Sequence, residues 1–351
     1  MLEDDLLRLT VDPGTGLVSN LLDGRSGDEM LSAPGGVAAV IEDRSDTWSH
    51  GVYRFQDQVG AFEVESVRRV ASGPVLSTIR VESRFEASRL RQDYTLFHGP
   101  GLVVVDVRVD WHQRWQALKL RWPVAVEHQR ATYEIAHGSI GRPTNGEEEP
   151  MQGWCDLSGT HPRSGRACGL SLLNEGKYSA DVEGRTIGLT VLGSPVFAHH
   201  DPRQVGEEEV DSVEFQDQGV HRFRYAVLAH DGSWQEAGAV ERAALFNQPA
   251  VAFWHTSHPG RLPLQVSLLS VPTPGVVGVA VKVAEDGRGD TIVRLLETRG
   301  QAVGALIQLP GWDRQHRCDL EAHQLKTLRI PQRPDEAVTE TDLIERETAL
   351  G

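Results

Sequence analysis

From Leu102 to Asp110 the chain reads Leu-Val-Val-Val-Asp-Val-Arg-Val-Asp, with Val105, Val107 and Val109 on one parity and Asp106, Arg108 and Asp110 on the other. Side chains of an extended strand alternate between two faces, so this period of two suits a strand with one face in a core and one in water, and it does not suit a helix. Leu118, Leu120 and Trp122 repeat the pattern against Lys119 and Arg121. Similar runs cover Leu6 to Val11, Phe62 to Val70, Val75 to Phe85, Arg89 to Phe97 and His221 to Leu228. Further runs are Leu264 to Val271, Val276 to Val283, Thr291 to Glu297, Ala302 to Leu309 and Leu325 to Ile330. Strands recurring at intervals of roughly ten residues with turn residues between them predict antiparallel sandwiches and not strand-helix-strand units. The fold class is therefore all-β.

One helix interrupts the pattern. Ser233-Trp234-Gln235-Glu236 has the spacing of a capping box, Ala237, Val240, Ala244 and Leu245 follow at helical spacing, and Asn247-Gln248-Pro249 stops the run. This helix, or the segment just after it, is the candidate domain boundary. The expected division is a large sandwich over 1–255, a smaller one over 256–332 and a weakly ordered acidic tail over 333–351, where the alternation is lost.

At 351 residues and 39% hydrophobic content the chain is long enough to fill two cores. A net charge of -15 and the lack of any long basic run argue against nucleic acid. The start, Met1-Leu2-Glu3-Asp4-Asp5, lacks the basic and then apolar pattern of a signal peptide, and no window approaches eighteen apolar residues. A cytoplasmic protein that does not enter membranes is expected. Cys155, Cys168 and Cys318 show no metal or redox spacing and are read as reduced thiols.

Polar chemistry concentrates between Ala131 and Pro202. Glu147-Glu148-Glu149 supplies carboxylates, though three neighbours in a loop are expected to face water. Arg142 offers a guanidinium fork for a carboxylate or sugar hydroxyls, or a bridge to those glutamates. Asn174-Glu175-Gly176-Lys177 reads as a hairpin turn, and Gln204 to Asp211 as a solvated acidic loop. His199-His200-Asp201 ends a strand, where alternation lets at most His199 and Asp201 share an ion. Trp48, Trp111, Trp115 and Trp154 are candidates for stacking on sugar faces or for the core. Arg288-Gly289-Asp290 is explained by a hairpin tip. The zinc-protease helix motif, the nucleophile elbow, the dinucleotide fingerprint and the phosphate loop are all missing from the sequence. No complete catalytic apparatus is visible.

Many segments in one order nevertheless carry a resemblance. Asp4 to Leu9 into Asp12-Pro13, Asp46-Thr47-Trp48, Tyr133-Glu134-Ile135, Gly138 to Thr144, Trp154 to Ser158, Gly169 to Tyr178 and Ser194 to Pro202 resemble the C-terminal half of α-mannosidases of glycoside hydrolase family 38. His221 to His230, Leu245 to Pro249 and Val293 to Glu297 extend it toward the end. The resemblance, to the cytosolic and bacterial branch, implies a galactose-mutarotase-like β-supersandwich followed by a smaller sandwich. It also implies that the aspartate nucleophile and the zinc ligands lie in an upstream catalytic domain. No catalytic residue, metal site or cofactor is then expected among these residues, and the chain alone is expected to be inactive. Its expected work is to help form the cleft for a mannose-containing glycan and to hold domains or subunits together, with a homo-oligomer compatible with that work. Substrate contacts are assigned to Arg142, Trp154, His199 and His200 from their local chemistry. The alternative is a stand-alone carbohydrate-binding or aldose-mutarotase-like module, with His137 or His200 paired with Glu147 as acid and base.

Overall fold

In the computed structural model, residues 1–198, 205, 209–261, 263–333 and 335–346 are described. They form two compact units, residues 1–134 with 140–248, and residues 135–139 with 249–351. The first unit thus ends at Gln248, where the sequence stops its helix and ahead of the expected boundary at residue 255.

The strands of the first unit are β1 (Leu2–Glu3), β2 (Leu7–Val11), β3 (Val18–Asp23), β4 (Val37–Glu42), β5 (Gln58–Ala61) and β6 (Glu63–Ser72). They continue with β7 (Leu76–Phe85), β8 (Ser88–Phe97), β9 (Leu102–Trp111), β10 (Gln116–Pro123), β11 (Glu127–Ile135) and β12 (Gly138–Arg142). Then come β13 (Asn145–Pro150), β14 (Trp154–Thr160), β15 (Ala167–Asn174), β16 (Ser179–Glu183), β17 (Thr186–Gly193), β18 (Gly219–Asp231) and the helix α1 (Ala239–Asn247). A nine-stranded sheet runs β12-β11-β14-β15-β18-β9-β8-β7-β6, a six-stranded sheet runs β13-β16-β17-β10-β4-β5, and β1 to β3 form a third.

The alternation read from the sequence decides which faces meet. Val103, Val105, Val107 and Val109 of β9 and Leu118, Leu120 and Trp122 of β10 are buried in one continuous core with Tyr94 and Tyr225. Across it the Trp122 and Tyr225 rings pack edge to face with centroids 6.2 Å apart, a favoured arrangement for aromatic quadrupoles. Gly36 makes room for this packing: its φ is +75°, and a Cβ there would sit 2.5 Å from the Tyr94 hydroxyl.

Three local readings change. Asn174 to Lys177 is a turn, closed by the Lys177 amide on Asn174 Oδ1 at 2.9 Å, but it carries the chain from β15 in one sheet to β16 in the other and is not a hairpin. Glu147 to Glu149 lie on β13 and not in a loop. The Ser233 and Glu236 pair does form, with the Ser233 amide on Glu236 Oε2 at 2.9 Å and the Glu236 amide on Ser233 Oγ at 3.3 Å. It closes a turn ahead of the helix, whose own cap is Gly238.

The second unit holds β19 (Val276–Val283), β20 (Thr291–Glu297), β21 (Val303–Leu309), β22 (Arg314–Leu320), β23 (Leu325–Ile330) and β24 (Thr339–Thr341). A sheet β19-β20-β23-β24 and a two-stranded sheet β21-β22 enclose Val293, Leu295, Ile307, Leu309, Leu328 and Ile330. The 264–271 segment, expected as a strand, contributes only the bridge of Ser270 to Gln308, and its Leu264 and Leu268 are exposed. The segment expected as a weak tail instead adds β24, on which Thr341 pairs with Thr327. Lys282 then holds Glu345 at 2.7 Å, and Arg294 donates to the Leu343 carbonyl at 2.8 Å. The hairpin tip at Arg288-Gly289-Asp290 is locked by Arg329, which meets Asp290 at 2.7 Å. Among the described residues no helix is long and apolar enough to cross a membrane.

Candidate functional site

Lys119 lies on β10 with the polar parity that the sequence assigns to water, yet its side chain is 0% exposed. Its ammonium meets Asp181 Oδ1 of β16 at 2.9 Å and a Glu148 carboxylate oxygen of β13. Ser179 donates to the other Glu148 oxygen at 2.6 Å, and Thr190 of β17 donates to the same atom. Burial pushes the Asp181 carboxyl above its ordinary value, with Lys119 pulling the other way. Gly188, opposite Asp181, is needed for the geometry, because a Cβ there would lie 2.2 Å from Asp181 Oδ1.

The cover over this cluster is the segment from Asp43 to Asp57. The Phe55 ring presents its face to the ammonium of Lys119, with its centroid 5.9 Å away, and packs on Ala39, Ile41 and Ala117. Segment and sheet are tied by the Glu148 amide on the Tyr53 carbonyl at 2.8 Å and by Arg54 at 3.8 Å from Glu147. On the far side Thr47 accepts from the Ala198 amide at 2.7 Å, and Asp46 bridges Val196. Two parts of the polar stretch therefore meet on this one segment, β13 at Tyr53 and Arg54 and the run into Ala198 at Asp46 and Thr47.

Within the segment, Asp46 is buried. Burial pushes its carboxyl up, but the amides of Trp48 and His50 and the His50 ring donate to it and hold it below the ordinary aspartate range. Asp43 is buried with fewer donors, the amide and hydroxyl of Ser45, and burial pushes its carboxyl up. Trp48 and Tyr53 point outward, 52% and 73% exposed. The same segment borders two hollows: one of about 390 Å³ is lined by Asp43, Asp46, His50, Arg54 and Asp57, and one of about 240 Å³ by Asp43, Phe55, Glu148, Thr190 and Asp217. The arrangement offers carboxylates and exposed rings to a polyhydroxylated ligand.

The residues singled out from the sequence fare differently. Arg142 is half-buried and bridges Glu149 at 2.8 Å, the structural option for it. Trp154 is 0% exposed, its ring 4.7 Å from that of Trp234 under α1, so it has no face to lay on a sugar and is a correction to that assignment. Trp111 is buried, its indole donating to Ser194 at 2.7 Å. His199 and His200 lie outside the described residues, as do 204 and 206–208 of the expected acidic loop. His137 is exposed, and Glu147 faces Arg54. Among the described residues no three His, Cys, Asp or Glu side chains converge to hold a metal ion. Sequence reasoning missed Lys119, Asp181, Asp43 and Phe55. Nothing local marked Lys119, because it shares its parity on β10 with Arg121.

Comparison with known proteins places these features. Residues 2–203 match the profile of the glycosyl hydrolases family 38 C-terminal domain. Alpha-mannosidase 2C1 of Homo sapiens is 29% identical over 330 residues, covering 88% of this chain and 29% of that protein. Alpha-mannosidase G of Dictyostelium discoideum is 23% identical over 312 residues, 82% of this chain and 26% of that protein. The chain therefore spans under a third of these relatives. An alpha-mannosidase structure from Enterococcus faecalis shares the fold with a TM-score of 0.75 at 12% identity, over 93% of this chain and 41% of that one.

Proposed function

The chain belongs to glycosyl hydrolase family 38, matched through that family's C-terminal domain, and from this premise we propose that it forms the β region of an α-mannosidase, one wall of the cleft that receives a mannose-containing glycan. The nucleophile and the zinc belong, on this reading, to a catalytic domain upstream of the segment matched here. The Asp43–Asp57 segment is the part of the wall that meets the sugar. What carries the reading is the pairing of outward Trp48 and Tyr53 with an anchored base, since a ring edge or face complements the C–H surface of a hexose while carboxylates take its hydroxyls. Lys119, Glu148 and Asp181 are positioning residues that fix the segment through Phe55. The enzyme is read as cytoplasmic, like the branch the sequence resembles.

The test uses the enzyme in which these residues accompany the catalytic domain. Trp48→Ala is expected to raise KM for a mannosyl substrate several-fold, the equivalent of roughly 0.5–1.5 kcal/mol of ring contact, with a smaller change in kcat. An unchanged KM would sink the assignment of this segment.

A further inference from the structure

The outward face of the nine-stranded sheet carries a row of charges that the cleft does not use. Register sets Arg91 of β8 opposite Arg108 of β9, and Arg108 opposite Arg222 of β18. At a strand spacing of roughly 4.8 Å, the three arginines form a line about 10 Å long. Like charges directly opposite destabilise an antiparallel pair. The next row shows how the chain can avoid this: Arg80, Asp93, Asp106 and Arg224 lie side by side, with Arg80 on Asp93 at 2.7 Å and Arg224 on Glu175 at 2.7 Å.

Arg91 leans toward Asp93 at 3.6 Å. Among the described residues neither Arg108 nor Arg222 has a carboxylate in ion-pair range. Both line a hollow of about 460 Å³ whose walls also include Arg91, Arg224, Asp106 and Glu175. Two neighbouring guanidinium forks over a concavity of this size suit one small oxyanion, because each fork presents paired donors to two of its oxygens. Arg91, Arg108, Arg222 and Arg224 outnumber Asp106 and Glu175 around this hollow, against the net charge of -15 of the chain.

We propose that Arg108 and Arg222, backed by Arg91, form a binding site for an oxyanion of the phosphate class, either free phosphate or a phosphate monoester. Calorimetric titration of the full chain at low ionic strength tests it, with inorganic phosphate in one arm, phenyl phosphate in a second and chloride at matched ionic strength as the control. Phosphate binding with a Kd of about 1 mM or tighter is expected, and R108Q and R222Q should each weaken it roughly tenfold. Tighter binding of phenyl phosphate than of inorganic phosphate assigns the site to an ester, and the reverse assigns it to the free ion. Equal heats from chloride, or variants that bind phosphate as the parent does, would overturn the proposal. A second variant guards against misfolding: R108T relieves the opposed charges and should hold or raise the thermal midpoint in phosphate-free buffer. A marked drop there would give Arg108 an internal structural partner and end the argument.

Discussion

Each large sheet of the first unit holds a buried charged cluster among its described residues, and the cluster at Asp156 is closed differently from the one at Lys119. Asp156 of β14 accepts from His230 at 2.8 Å, from Ser171 at 2.7 Å and from Ser158, all under the face covered by α1 and Trp234. Its donors come from β15, β18 and β14 itself, so all of them lie within one sheet. The Lys119, Glu148 and Asp181 cluster is likewise dry at its lysine, but its cover is a loop that also displays Trp48 and Tyr53. Burial alone therefore does not mark a site. On the proposed function, what separates the two is whether the lid faces a ligand on its other side.

Substitutions can break that contrast, and the largest effect belongs to the lysine. Lys119→Met strands two buried carboxylates without a counter-charge and should cost about 3–5 kcal/mol in urea unfolding. A cost below about 1 kcal/mol would mean that the cluster is wetter than its geometry implies. Asp156→Asn leaves His230 and two serines short of an acceptor, for about 1–3 kcal/mol. Because α1 seals that cluster, KM for a mannosyl substrate should not move. A shift in KM would erase the distinction between the two clusters.

The pH response sharpens the loop side. Burial raises the carboxyl of Asp43 in the fold. Protonated Asp43 therefore favours folding, a contribution fully present below the ordinary aspartate value of 3.8 and lost as pH rises through the raised folded value. Asp43→Asn should accordingly lift the thermal midpoint by a few degrees at neutral pH and leave it unchanged below 3.8. The opposite ordering of the two pH values would contradict the burial of this group. The smallest effect is that of Trp48→Ala on stability, within about 0.5 kcal/mol, since the ring is outward. Any larger loss would make Trp48 a packing residue and weaken its role at the cleft.

How much of this was legible in the sequence depended on where each contact came from. Strand parity on β9 and β10 was readable because a period of two is local, and it correctly put Val105 and Trp122 in the core. The helix stop at Asn247-Gln248-Pro249 was equally local. Lys119 was not readable, because the residue that covers it, Phe55, lies far upstream. The same distance hid Glu148: three adjacent glutamates look solvated until β13 pairs with β16 and turns one of them inward. β22 escaped notice because Arg314, His316 and Cys318 do not alternate with apolar residues, so only its pairing with β21 defines it. Trp154 was ambiguous from sequence, since a tryptophan between polar segments serves a pocket or a core equally well until Trp234 closes over it.

The most direct test of the division of labour is the hydrolysis of an aryl α-mannoside, with zinc supplied, by these 351 residues alone. The account predicts no turnover above the uncatalysed background, because the wall holds and positions sugar without breaking the bond. Turnover by the isolated chain that disappears on Glu148→Gln or Asp43→Asn would contradict it and move the chemistry onto the cluster beneath Phe55.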